Sequence, residues 1–303
     1  MKKAVLKKAI ILSLFSSMNA VTTTFAANIN PIDIHEGQIY EQAMDDDTTL
    51  MIDKGKGKGI SVLGGSKVNL AGNGAFRMKT LEADNERNFV RYGIRVQDSS
   101  SVVKIKSNDG NIEMDMKNMY RISPTFNGIY TGFFGLTDIV TEKNFNMSME
   151  QNAAKVKNFY GIEADKGVIN IKTGENLELN LIDKSSGVNN NNRYFYGLYA
   201  NDKGVLNIES NGNINLNMVE NVDSSYTRGI YAYGDSQINM KAAKDLNINI
   251  TSADNAATNA RGILAWKSAV VNVQAENINI DMNTAGKEDN GPSGIKASGG
   301  LVN

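Results

Sequence analysis

The chain has 303 residues, a formal net charge of −1 and no cysteine. Without cysteine it can form neither disulfides nor zinc–thiolate or iron–sulfur sites, and it has no thiol nucleophile. His35 is the only histidine, which excludes a metal site built from several histidines. A balanced charge without a block of basic residues also argues against a nucleic-acid partner.

Residues 1–26 have the pattern of a secretory signal peptide. Four lysines lie within the first eight residues, an apolar stretch runs from Ala9 to Phe15, and residues 24–27 offer small side chains for cleavage. The apolar stretch is too short to span a bilayer. We therefore predict export of a mature chain with 28 basic and 33 acidic residues, a net charge of −5.

Most of the remaining chain is a repeat of 32 to 36 residues, each copy beginning with glycine followed by isoleucine or leucine. The repeats begin at Gly59, Gly93, Gly128, Gly161, Gly197, Gly229, Gly262 and Gly294. Most repeats contain two further short segments of alternating apolar and polar residues, as in Val271-Asn272-Val273. A period of two is the pattern of a half-buried strand and does not suit a helix.

Three short strands per repeat predict an all-β fold, a parallel β-helix with three strands per coil and a period of about 33 residues. Apolar faces would point inward, and right-handed winding is the expected hand. We predict coils over residues 59–303, with the last one incomplete. Residues 27–58 would cap the first coil with apolar side chains, namely Ile32, Ile34, Ile39, Leu50 and Ile52.

Two columns of side chains follow from stacking these repeats. Small residues would line an inward corner, at Val96, Ala164, Ala200, Ala232, Ala265 and Ala297. Asparagines would form an outward ladder of hydrogen bonds, at Asn69, Asn170, Asn207, Asn239, Asn272 and Asn303. Both columns indicate a structural role.

Surface contacts are predicted at two kinds of position. Tyr130, Tyr199 and Tyr231 share one place in their repeats, on the face opposite the inward isoleucine or leucine, where tyrosines bind sugar rings or protein partners or simply cover a polar sheet. The variable, polar ends of the repeats would form loops on one side of the rod and carry specificity. These ends are Lys184 to Tyr194, Glu220 to Thr227, Ser252 to Ala260 and Thr284 to Pro292.

Three short patterns resemble known sites but lack their defining residues. The glycine–lysine alternation of residues 54–59 lacks the Ser/Thr and the helix of a phosphate-binding loop. Asp45-Asp46-Asp47 lacks the spacing of a calcium loop, and His35-Glu36 is not followed by a second histidine. We predict no catalytic, cofactor-binding or metal-binding residue, and no cofactor.

The signal peptide, the cysteine-free chain and the Gly-Ile-x-Ala and Asn-Ile-x-Ile coils of residues 59–303 together resemble the passenger domains of autotransporters (type V secretion) of Gram-negative bacteria. The resemblance implies an adhesin-like, non-catalytic rod, displayed at the cell surface or secreted. Its ligand would be a host, glycan or bacterial-surface molecule. In that family an outer-membrane barrel follows the passenger, and here it would lie beyond Asn303, so that the chain is an N-terminal fragment.

Two alternatives remain open. Polysaccharide lyases and hydrolases also use the parallel β-helix, and three or more acids gathered on one face would favour a secreted carbohydrate-active enzyme. A near-neutral charge and an open coil end would suit a self-assembling surface-matrix protein.

Overall fold

The structure is a computed structural model. It describes residues 27–52, 57–80, 90–118, 125–152, 157–184, 193–221, 226–252, 259–284 and 291–303. The predicted signal peptide, part of the glycine–lysine stretch and the centres of the variable segments lie outside the described residues. Within the described ranges all regular secondary structure is β-strand, and none of these residues forms a helix with the length and apolar character needed to cross a membrane.

The strands form three parallel sheets of nine strands each. Sheet A consists of β1 (Ala27–Ile29), β4 (Thr48–Ile52), β7 (Phe76–Thr80), β10 (Ile112–Asn118), β13 (Phe145–Gln151), β16 (Leu177–Asp183), β19 (Ile214–Glu220), β22 (Asp245–Ser252) and β25 (Asn277–Asn283). Sheet B consists of β2 (Ile32–Ile34), β5 (Gly57–Val62), β8 (Val90–Gln97), β11 (Thr125–Gly132), β14 (Asn158–Asp165), β17 (Tyr194–Asn201), β20 (Tyr226–Tyr233), β23 (Ala260–Trp266) and β26 (Ser293–Ser298). Sheet C consists of β3 (Ile39–Ala43), β6 (Lys67–Gly72), β9 (Val102–Ser107), β12 (Leu136–Thr141), β15 (Val168–Thr173), β18 (Val205–Ser210), β21 (Gln237–Ala242), β24 (Val270–Gln274) and β27 (Leu301–Val302).

Each strand pairs with the strand three places later in the chain, so every coil contributes one strand to each sheet. This is a right-handed parallel β-helix with three strands per coil, and the predicted fold is confirmed. Nine strands stacked about 4.8 Å apart give a rod about 38 Å long.

The core is the column of inward side chains that the period of two predicts. In β16, for example, Leu177, Leu179 and Leu181 are fully buried, and the residues between them face outward. Phe126, Phe159 and Phe195 stack along the axis, with ring centroids 5.2 and 4.9 Å apart. Because a coil cannot bury its own apolar face, this stacking of neighbours provides the burial that stabilises the rod.

The glycine that begins each repeat lies where sheet B comes closest to the following coil. A Cβ atom on Gly197 would lie 2.6 Å from the carbonyl oxygen of Gly229 and 2.7 Å from both Cδ atoms of Leu216. From Gly59 to Gly262, a Cβ would meet the oxygen of the next glycine in the column at 2.5–2.7 Å. None of these glycines has a positive φ. The repeat therefore requires glycine for close approach between coils and not for an unusual backbone conformation.

The predicted columns form with two departures. Ala164, Ala200, Ala232 and Ala265 align in register and are fully buried, whereas Ala297, in the last coil, is exposed. Side-chain amides join successive coils from Asn170 to Asn303, each Nδ2 donating to the preceding Oδ1 at 2.7–2.9 Å. Asn69 is outside this ladder, because its neighbour in the next coil is Lys104.

Residues 27–52, expected as part of a cap, supply strands to all three sheets. Strands β1, β2 and β3 pair in parallel with β4, β5 and β6, as later coils do. Ile32 and Leu50 are buried as expected, but Ile39 is 68% exposed. Ile39 lies on the outward face of β3, opposite Lys67, because Tyr40 occupies the inward position.

Candidate functional site: the aromatic face of sheet B

Aromatic side chains cover the outward side of sheet B over four successive coils. They occupy outward positions of β14, β17, β20 and β23, and we call this set the aromatic face. Its members are Tyr160, Tyr194, Tyr196, Tyr199, Tyr226, Tyr231, Tyr233 and Trp266. The inward positions of the same strands hold phenylalanine, isoleucine, leucine and alanine, and the repeat glycine also faces the core, so that Tyr196 and Tyr199 point outward on either side of the inward pair Gly197 and Leu198.

The rings are stacked along the rod because the strands are in register. Tyr199 lies 5.2 Å from Tyr231 with a 12° angle between ring planes, and their residues are direct partners in adjacent strands. Tyr194 and Tyr226 are 5.4 Å apart at 22°. These offset stacks follow the preferred geometry of aromatic pairs and hold the rings in fixed positions.

A groove of about 440 Å³ runs over these rings. Tyr196 and Tyr231 form buried parts of its wall, whereas Trp266 is 43% exposed at one end. The phenol of Tyr199 is neutral at physiological pH and can donate a hydrogen bond, and burial raises its pKa further. The groove thus offers ring surfaces together with hydroxyl groups, a combination suited to sugar rings.

Two of the three tyrosines expected at the surface belong to this face. Tyr199 and Tyr231 are stacked in it, while Tyr130 is separated from Tyr199 by Glu163, the intervening residue of the same column. Tyr130 instead lies 5.6 Å from Tyr92. Whether these residues contact a ligand stays a prediction.

Other members of the face were missed at the sequence level. Tyr160 and Tyr196 directly precede the repeat glycine, as does Arg228 in the following coil. The residue before that glycine points outward, since the glycine itself faces the core. Comparing the residue directly before the glycine in each repeat, as well as the residues after it, would have found the column of Tyr160, Tyr196 and Arg228.

Acidic side chains lie at the end of the aromatic face nearer the first coil. Glu163 and Asp165 are both on the outward side of β14, and Asn127 donates a hydrogen bond to Glu163 Oε2. Burial and the charge of Asp165 raise the pKa of Glu163 to about 8, against the effect of the Asn127 bond. Burial raises the pKa of Asp165, and the charge of Asp202, which pairs with Lys166 at 2.7 Å, acts in the same direction.

The raised pKa of Glu163 predicts that the rod loses stability as the pH rises. Between about pH 4.5 and pH 8 the folded state keeps a proton that the unfolded chain releases, so this contribution to stability is complete below pH 4.5 and is lost toward pH 8. We expect a loss of about 2–3 kcal/mol, less than the full shift because the carboxyl is partly exposed. Urea denaturation followed by circular dichroism at pH 5 and pH 8 measures it.

Glu163→Gln removes this titration and should flatten the pH dependence while stabilising the rod at pH 8. Glu178→Gln serves as a control, because Glu178 is an outward carboxyl on sheet A, bonded to Asn180 at 2.9 Å. An unchanged pH profile in Glu163→Gln would show that burial does not hold the proton on this carboxyl.

The other sequence patterns have structural roles or none. Asp47 accepts hydrogen bonds from Arg77 at 2.6 Å and from the backbone of Ala75, and the bond from Arg77 is the largest cause lowering its pKa. His35 lies on the surface, 3.5 Å from Asp33. Across the described ranges no group of three or more His, Asp or Glu residues could hold a metal ion.

A second groove, of about 610 Å³, lies over the asparagine ladder of sheet C. Its floor is lined by Asn170, Asn207, Asn239 and Asn272, whose amides already bind one another. Part of their hydrogen-bonding capacity is used within the ladder, whereas the groove over sheet B ends at an exposed ring, that of Trp266. The aromatic face is therefore the stronger candidate for ligand contact.

Compared with known proteins, the chain matches no protein-family model, no curated protein and no solved structure. The parallel β-helix itself is of the kind expected for an autotransporter passenger.

Proposed function

We propose that this chain is an exported, non-catalytic adhesive rod of the autotransporter-passenger type, and that it contacts glycans through the aromatic face. The observation that carries the proposal is the concentration of eight aromatic side chains on one outward surface. The outward positions of sheets A and C hold asparagine, lysine and acidic residues instead, as in Asn247, Lys172 and Glu209.

The aromatic face differs from a simple cover over a polar sheet in two respects. Its rings bound an open groove, and the face ends in a tryptophan that is 43% exposed. A ligand that covers these rings removes apolar area from water at sites already held rigid by stacking, which favours binding. In the chain the variable segments directly precede β17, β20 and β23, three strands of this face. Their centres lie outside the described residues.

Export and display rest on the pattern of residues 1–26 and on the resemblance to passengers. N-terminal sequencing of the protein from the extracellular or surface fraction tests both, with cleavage near Ala26 as the expected result. Retention of Met1 on protein found only inside the cell would contradict this part of the proposal.

Replacing two rings at the open end of the face should abolish most glycan binding. For Tyr233→Ala combined with Trp266→Ala we expect at least a tenfold loss of affinity, from about 1 kcal/mol of stacking per ring. Binding of the purified rod to immobilised neutral and acidic oligosaccharides measures it. The matched control is Phe134→Ala, which removes an aromatic side chain that is 68% exposed outside the face.

Equal binding by the double variant and the wild type would contradict a role for the aromatic face. Equal losses from the double variant and from Phe134→Ala would do the same, because the effect would then reflect general apolar exposure.

A second candidate function is a secreted carbohydrate-active enzyme. It is favoured by Glu163 and Asp165, which lie two residues apart on one face beside the tyrosines, with the pKa of Glu163 raised to about 8 as a general acid requires. Product release from polysaccharides by wild type but not by Glu163→Gln would support the enzyme. If the wild type binds glycans but releases no product from them, the result favours the adhesive rod over the enzyme.

A further inference from the structure

Basic side chains border the aromatic face at the end opposite Glu163. Arg228 follows Tyr196 in the outward column, and Arg261 follows Arg228, each a direct partner in the next strand. A notch of about 260 Å³ opens beside them, and we call it the basic notch. It is lined by Tyr226, Arg228, Asn259, Arg261, Trp266 and Lys296, among others.

Arg228 is held in place by neutral groups. Its side chain donates to the carbonyl oxygens of Thr227 and Asn259, and Nη2 donates to Asn259 Oδ1 at 3.1 Å. The guanidinium carbon lies 5.5 Å from the ring centre of Tyr226. Arg228 is only 5% exposed, yet its buried Nε has no hydrogen-bond partner within the described part of the chain.

Arg261 is positioned in the same way one coil later. Its Nη1 donates to the carbonyl oxygens of Ala260 and Gly291, each at 2.7 Å, and the residue is 6% exposed. Neither Arg228 nor Arg261 has an acidic group within ion-pair distance among the residues that the structure describes. Two guanidinium groups on adjacent coils therefore face one notch, with no carboxylate of the described residues at ion-pair distance.

An anion that binds beside these two guanidinium groups would offset the cost of burying like charges on adjacent coils. Buried charges are normally paired, and like charges on neighbouring coils repel one another. Burial lowers the pKa of Arg228 to about 10, with the charge of Arg261 acting in the same direction, so the site already disfavours its own positive charge. Arginine is also the side chain best suited to carboxylate and sulfate groups, which its planar fork binds with two hydrogen bonds.

We propose that the basic notch binds the carboxylate or sulfate group of an acidic glycan whose neighbouring rings lie on the aromatic face. This inference rests on the proposed function, which it makes specific for charged sugars. Tyr226, Arg228 and Trp266 line both the notch and the groove over the tyrosines, so one chain of sugars can occupy the two together. Lys296 adds a positive charge at the exposed side of the notch.

Matched pairs of oligosaccharides separate charge from ring stacking. We would compare oligogalacturonate with its methyl ester, and a heparin oligosaccharide with its desulfated form, by calorimetry at low and high salt. At least tenfold tighter binding of one charged form, weakened by salt, is expected. Preference within the first pair assigns a carboxylate ligand, and preference within the second assigns a sulfate ligand.

Two variants test the notch itself. Lys296 is exposed, so Lys296→Gln should not disturb folding. Arg261→Gln and Lys296→Gln are each expected to lower the affinity for the charged oligosaccharide severalfold. The affinity for the uncharged oligosaccharide should not change. Lys104→Gln, an exposed lysine on sheet C, is the matched control and should change neither.

Equal affinity for the charged and uncharged forms in both pairs would overturn the inference. The proposed role of the aromatic face would still be supported if Tyr233→Ala/Trp266→Ala lost affinity for both forms. An equal effect of Lys104→Gln would also overturn the inference, because binding would then follow net charge. If wild type bound none of the four oligosaccharides while circular dichroism confirmed its fold, both the proposed glycan contact and the inference would fail.

Discussion

Replacing Gly197 by alanine is expected to destabilise the rod by about 3 kcal/mol or more. The added Cβ would lie 2.6 Å from the carbonyl oxygen of Gly229, and this atom belongs to a backbone held by sheet pairing on both sides. Leu216, at 2.7 Å, blocks the other direction. Urea denaturation followed by circular dichroism measures the loss, and hydrogen exchange should place the first opening at β17 and β20.

The same repeat position supplies a control for this prediction. A Cβ on Gly294 would have only Ile280 Cδ1 nearby, at 3.9 Å, because it lies in the last coil of the described residues. Gly294→Ala should therefore change stability by only a few tenths of a kcal/mol. Similar losses for Gly197→Ala and Gly294→Ala would refute close approach as the reason for the glycine column.

Replacing Arg193 by leucine is expected to cost about 3–5 kcal/mol. Arg193 forms an ion pair with Asp183 at the inner corner between sheets A and B, and their side chains are 6% and 1% exposed. The substitution leaves the carboxylate of Asp183 buried without its guanidinium partner, which costs far more than losing a surface ion pair. The free energy of unfolding in urea gives the value.

A double-mutant cycle distinguishes lost charge pairing from lost packing. Adding Asp183→Asn to Arg193→Leu removes the buried charge and should recover at least half of the lost stability. The ion pair of Lys143 with Glu175, 3.2 Å apart and about half exposed, is the comparison, and Lys143→Leu should cost much less than Arg193→Leu. Additive effects of the two corner substitutions would contradict a coupled buried pair.

Most of the fold was predictable because the repeat and the alternation are local properties of the sequence. One error arose from the same local rule. Ile39 is apolar, yet it falls on the outward side of β3, since the alternation there runs through Tyr40 and Gln42. Without the glycine that begins the later repeats, residues 27–58 offered no landmark for counting which positions face inward.

The candidate site was less predictable because it depends on which residues meet across coils. The repeat that begins at Gly161 already assigns Glu163 to the position between Tyr130 and Tyr199, but only the structure shows which rings stack and that Asn127 bonds Glu163. The proposed ligand of the basic notch depends further on whether a carboxylate of the described chain lies near Arg228 and Arg261. A sequence with nearly equal numbers of acidic and basic residues does not reveal that these two, within the described chain, lack a carboxylate.

The asparagine ladder of sheet C gives this face of the rod a net dipole along its axis. From Asn207 to Asn303 every side-chain amide donates to the coil before it, so all N–H groups point toward the first coil and all C=O groups toward the last. Dipoles aligned in this way add and strengthen one another, whereas the dipoles of the sheets largely cancel. Asp138 lies opposite Asn170 at the electropositive end. The two ends of this face are therefore chemically distinct, and an amide that joined the ladder beyond Asn303 would do so only as a donor.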